Sequence, residues 1–169
     1  PQLVALFNGV GGGAAALIAV VEYLVVDSED LLFLIFTVAT VIVGSIAFSG
    51  SIVTYLKLQE LMTTRPVVIP LGKWITILVA VATVVGGVWL IVQPQEWLMW
   101  ALLGLSLVFG VLFVLPVGGA DVPIVISLLN AMTGLAVAAS GYVLGNVLLL
   151  IAGTLVGASG TLLTNLMAK

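Results

Sequence analysis

Asp121 stands in the run Gly118-Gly119-Ala120-Asp121-Val122-Pro123, at the head of an otherwise uncharged apolar segment that also carries Ser127 and Asn130. Carboxylates and amides are costly to solvate beside hydrocarbon, so in such a setting they are read as functional groups, able to pass a proton, guide an ion or bond one helix to another. Each also has a purely structural reading. Asp121 directly precedes a segment with Pro123 in its first turn, which is where a helix-capping carboxylate belongs. Asn130 lies nine residues further on, about 13 Å at 1.5 Å per residue, near the middle of a membrane. Its amide needs either neighbouring hydroxyls or a short file of water, and the pattern leaves both open. Nine residues is half a turn out of phase, so a straight helix puts Asp121 and Asn130 on opposite faces. Elsewhere, an interhelical hydrogen bond accounts for Asn8, and bonds back to the preceding turn account for Ser51 and Thr54. Glu22 is close enough to a helix end to reach the interface.

The composition limits what these groups can be. With no cysteine and no histidine, the chain has no thiolate or imidazole metal site and no disulfide framework. Four basic residues and a net charge of −3 exclude a nucleic-acid surface. Of the 169 residues, 63% are hydrophobic and only 7% charged, and the mean hydropathy is +1.41, which describes an integral membrane protein. The chain starts at Pro1 with no charged leader and cleavage site, and reads as a piece of a longer protein.

The elements that must carry these residues are apolar runs long enough to cross a bilayer. Six are predicted: Leu3 to Val26, Leu31 to Leu58, Leu71 to Val92, Trp97 to Val117, Val122 to Leu144 and Val147 to Met167. The connections are short and rich in breakers, so the expected fold is an all-α membrane protein, one bundle of six transmembrane helices spanning residues 1–169. No internal repeat is evident. Lys57, Arg65, Lys73 and Lys169 fall on one side of this arrangement, and Asp27, Glu29, Asp30 and Glu96 on the other. The positive-inside rule then places both ends and Asp121 in the cytoplasm. Trp97 and Trp100 fit an interfacial belt opposite, and Trp74 one on the cytoplasmic side.

Small and polar residues recur three or four apart, marking the faces along which helices approach. The first helix has Asn8, Gly12, Ala15, Ala19 and Glu22, and the second Thr40, Gly44, Ala47, Ser51 and Thr54. The third has Thr76, Ala80, Thr83 and Gly87, the fifth Ser127, Asn130, Gly134, Ala138, Gly141 and Gly145, and the sixth Gly153, Gly157, Gly160 and Thr164. The fourth has only scattered Gly104, Ser106 and Gly110, which predicts that it faces lipid or another protomer.

The run from Gly118 to Asn130, with Gly134 and Leu155-Val156-Gly157-Ala158-Ser159-Gly160, resembles the membrane domain of the β subunit of proton-translocating nicotinamide nucleotide transhydrogenases. Phe48-Ser49-Gly50-Ser51-Ile52-Val53, followed by Lys57-Leu58, resembles a second helix of that family, and the resemblance covers essentially the whole chain. It implies a dimeric enzyme of the bacterial inner membrane that moves a hydride between NADH and NADP⁺ while a proton crosses the membrane. The implied partners are the α-subunit membrane helices, a soluble NAD(H)-binding domain, and an NADP(H)-binding domain following Lys169. No glycine-rich loop opening a βαβ unit occurs in the sequence, so this piece is expected to bind neither cofactor. By resemblance, Asn8, Ser51 and Asn130 line a proton path, and Asp121 couples it to the NADP(H) domain. Asn8 stands where many members have histidine, and an amide does not carry a proton as imidazole does. The resemblance therefore implies a titrating group from elsewhere, such as a histidine of the α side. A secondary transporter would need a cavity and a mid-membrane charge, and a non-catalytic membrane scaffold would need only the glycines.

Overall fold

The computed structural model describes residues 1–26 and 30–169. Asp27 and Glu29, assigned above to the outer side, lie outside the described residues. Among those described there are six α-helices: α1 (Gln2–Val25), α2 (Leu31–Leu58), α3 (Gly72–Val92), α4 (Glu96–Val114), α5 (Val122–Val143) and α6 (Val147–Met167). Each is long and apolar enough to cross a membrane. A single 3-10 turn, Gly119–Asp121, leads into α5.

Local chemistry sets the ends. The Asp30 side chain accepts from Leu32 N and caps α2, and Asn146 accepts from Leu149 N and caps α6. Gly145 takes a left-handed φ of 62°, and Asn146 N bonds back to Gly141 O at 2.8 Å, turning the chain sharply from α5 into α6. The fourth span stops at Val114 rather than the expected Val117. Leu115 keeps helical dihedrals, φ −51° and ψ −47°, but Pro116 has no N–H to continue the helix ladder, so the regular helix ends there.

α2 is the central helix, packed against α1, α3, α4 and α5, while α6 rests on α5. Its hydrocarbon core comes in two parts. Ala19, Val20, Val38, Val41, Leu90, Leu98, Met99 and Leu102 fill one end, and Val53, Val114, Val125 and Leu129 fill the end nearer Asp121. The small-residue faces form the tight crossings. A Cβ on Gly44 would stand 2.6 Å from Gly12 O, and one on Gly134 would stand 2.6 Å from Gly157 N.

The expectation that α4 faces lipid or another protomer is corrected. Leu98, Leu102, Ser106, Gly110 and Val114, spaced by four, are all buried, and Gly110 lies against Ile46 and Ser49 of α2. Four-residue spacing keeps them on one face, which the scattered glycines concealed. The peripheral helices are α3 and α6. Of the stripe expected on α3 only Thr83 and Gly87 are buried, and α6 buries only Gly153, Gly157 and Gly160.

Candidate functional site: a polar seam along the second helix

Seven polar residues of α2 are buried: Thr37, Thr40, Ser45, Ser49, Ser51, Thr54 and Lys57. Three hydroxyls bond within the helix, Thr40 to Phe36 O at 2.7 Å, Ser49 to Ser45 O at 3.0 Å and Thr54 to Gly50 O at 2.8 Å. This is the usual resting arrangement for hydroxyls in apolar helices. Ser51 behaves differently. Its Oγ accepts from Asn8 Nδ2 at 2.8 Å, across the α1–α2 crossing, in a buried site. The glycines beside it explain the closeness: a Cβ on Gly9 would meet Ser51 Cβ at 3.1 Å.

The pair is incomplete. Asn8 Oδ1 is buried with no hydrogen-bond partner. An amide has one acceptor and one donor end, and a buried end left unpaired costs about 1–3 kcal/mol. Turning the amide over would only exchange an orphan acceptor for an orphan donor. The position therefore has room in its hydrogen-bonding for one more group, supplied by water or by a neighbouring chain.

The two other candidates lie apart from this pair. Asn130 is exposed on the outer side of α5, although the small-residue stripe had put it in the bundle interior. The inward positions of α5 go to Val125 and Leu129, which fill the core against α2, and Ser127 turns toward α6, where Thr164 Oγ1 donates to its Oγ at 2.9 Å. One turn after Asn130, Thr133 lies against Gly11 and Gly12 of α1, so the amide sits at the rim of the α1–α5 contact. Asp121 is also exposed, at the end of the 3-10 turn. It occupies the N-cap position of α5 but makes no side-chain cap bond. Capping geometry usually needs extended backbone at that residue, and Asp121 instead has φ −91° and ψ −5°. Its carboxylate is left facing outward.

Lys57 is the residue that sequence reasoning missed, having been counted only as a surface charge. It is fully buried, and Nζ donates to Leu115 O at 2.6 Å, Val117 O at 2.7 Å and Val114 O at 3.3 Å. The signal was present: Ser51, Thr54 and Lys57 continue the α2 stripe at a spacing of three, inside an apolar run that ends only at Leu58.

Six membrane-length helices around a buried amide–hydroxyl pair and a buried ammonium define a polytopic membrane subunit whose interior handles hydrogen bonds. The family model described as NAD(P) transhydrogenase beta subunit matches residues 1–169, and the chain belongs to that family. Two relatives named NAD(P) transhydrogenase subunit beta, both from Rhodospirillum rubrum, are each 37% identical to it over 180 aligned positions. These matches cover 100% of this chain and 38% of each relative, so the chain spans well under half the length of the curated proteins it matches. The described residues form helices and no strand.

Proposed function

We propose that this chain is the proton-conducting membrane domain of a nicotinamide nucleotide transhydrogenase, coupling proton translocation to hydride transfer between NADH and NADP⁺. The observation that carries the reading is the buried, unpartnered Asn8 Oδ1 beside Ser51. A hydroxyl and an amide cannot hold an excess proton at neutral pH, but they can orient a water that passes one. In this reading a water accepts from the Ser51 hydroxyl and donates to Asn8 Oδ1. The titrating group is contributed from outside the chain, from an α-subunit helix that reaches the seam. Asn130 extends the path at the α1–α5 rim, where its exposed amide also needs a partner from outside the chain.

Asp121 acts at the mouth. With no capping bond to keep, its carboxylate is available to a soluble NADP(H)-binding domain that follows Lys169, and the docked domain then gates entry to the seam. Arg65, Lys73 and Lys169 favour a cytoplasmic location for this end and for both termini, in the bacterial inner membrane. The sparsely buried α3 and α6 leave outer faces for lipid, for α-subunit helices and for a second copy of the assembly.

Proton flux measured in proteoliposomes of the full assembly, driven by NADH and NADP⁺, tests the coupling role. An Asp121→Asn assembly should fold with native thermal stability, because no cap bond is lost, while its flux per hydride falls. Native coupled flux in that variant would remove Asp121 from the mechanism.

A further inference from the structure

Lys57 occupies the last turn of α2, and the reading above gives it no task. An ammonium has three hydrogens, and here each has a carbonyl. The carbonyls belong to the end of α4 and the residues just beyond it, where Pro116 stops the helix ladder. The final carbonyls of a helix lack intrahelical donors and carry the negative end of its dipole, so a cation is favoured there.

The same point gathers the neighbouring connections. Leu115 O also accepts from Val67 N at 3.1 Å, which fastens the α2–α3 connection to the end of α4. Pro66 lies against Gly118, and Thr64 against Gly119, the two glycines that precede Ala120 and Asp121. In the other direction Ser51 is six residues up the same unbroken helix, about 9 Å along its axis. One rigid element thus joins the Asn8–Ser51 pair to the approach to the turn that carries Asp121, and Lys57 is where that element grips the chain at Val114–Val117, just before the turn.

We propose that Lys57 is a positioning residue for coupling, its ammonium holding the Gly118–Asp121 turn in register with α2 so that movement of the turn is passed to Ser51. This rests on the proposed roles of Asp121 and Ser51. A lysine that merely filled a space would be replaceable by methionine of similar length, whereas a grip of this kind requires the three donors.

The chain has no cysteine, so spin labels can be placed at Ala120→Cys, in the turn, and Gln95→Cys, at the far end of the bundle. In the full assembly, with other cysteines replaced, the label separation is read by pulsed electron paramagnetic resonance, and protons moved per hydride are read in proteoliposomes. Lys57→Met should broaden the separation and lower the proton-to-hydride ratio about tenfold, with nucleotide KM unchanged. Lys57→Arg, which keeps the charge and the donors, should recover most of both. If Lys57→Met does not assemble, Lys57→Gln, with two amide hydrogens, takes its place with the same expectations.

A native separation, or a native ratio despite a broadened separation, overturns the positioning role. Failure of the proton reading itself is told apart because it shows as absent nucleotide-linked flux before any change at Lys57. In that case the separation alone decides the grip, broadening supporting it and a native separation overturning it.

Discussion

At Asn8 and Ser51 the two halves of one hydrogen bond are unequal, and the inequality is measurable. Without Asn8, the Ser51 hydroxyl can turn to the carbonyl a turn earlier, as Thr54 already does. Without Ser51, the Asn8 amide is left buried with neither end paired. Ser51→Ala should therefore destabilise the domain by about 1–3 kcal/mol, and Asn8→Leu, which also removes the orphan acceptor, by clearly less. Thermal unfolding in detergent compares the two; equal losses would mean that the amide finds another partner. Much of this site was legible residue by residue. The stripe Asn8, Gly12, Ala15 and Ala19 placed Asn8 on a packed face of its helix, and the stripe through Thr40, Gly44 and Ala47 did the same for Ser51, whose hydroxyl was expected to bond back to its own helix. The particular pairing was not legible, because side-chain partners depend on how the two helices are rotated about their crossing. Asn130 shows the same limit: membership of a small-residue stripe does not say which edge of the stripe the neighbouring helix covers.

At the scale of the helices, backbone proximity decides. Gly134 meets Gly157 N so closely that a methyl group has no space, and α5 and α6 would have to separate to admit one. Gly134→Ala should cost about 1–3 kcal/mol through overpacking. Gly104→Ala on α4 meets nothing within 4 Å and should be neutral or stabilise by about 0.5–1 kcal/mol, since alanine is the better helix former. Parallel melting curves distinguish the two glycines, and similar effects would contradict the α5–α6 crossing. The existence of all six helices could be read from apolar runs, and five of the six end within a residue of the expected position. The fourth ends three residues early because Pro116 overrides the run of apolar residues around it. Its burial was misjudged for a related reason: leucines and valines look alike facing lipid or facing α2, and only the four-residue spacing through Ser106 and Gly110 separates the cases.

For the molecule as a whole, sidedness fixes which compartment the Asp121 end meets. Lys57 lowers the weight of the charge argument, since a buried lysine bound to carbonyls is not a free cytoplasmic charge, but Arg65, Lys73 and Lys169 still fall at the Asp121 end. In intact cells, cysteine at Gln95 should react with a membrane-impermeant maleimide and cysteine at Lys169 should not; the reverse pattern would invert the orientation. The central claim is that the Asn8–Ser51 seam carries protons in step with hydride transfer. The most direct test is nucleotide-driven proton flux in proteoliposomes of the full assembly, comparing the native chain with a folded Asn8→Leu/Ser51→Ala double variant. We predict that the double variant retains nucleotide binding and loses most of its proton flux, and a native flux-to-hydride ratio in that variant would contradict the account.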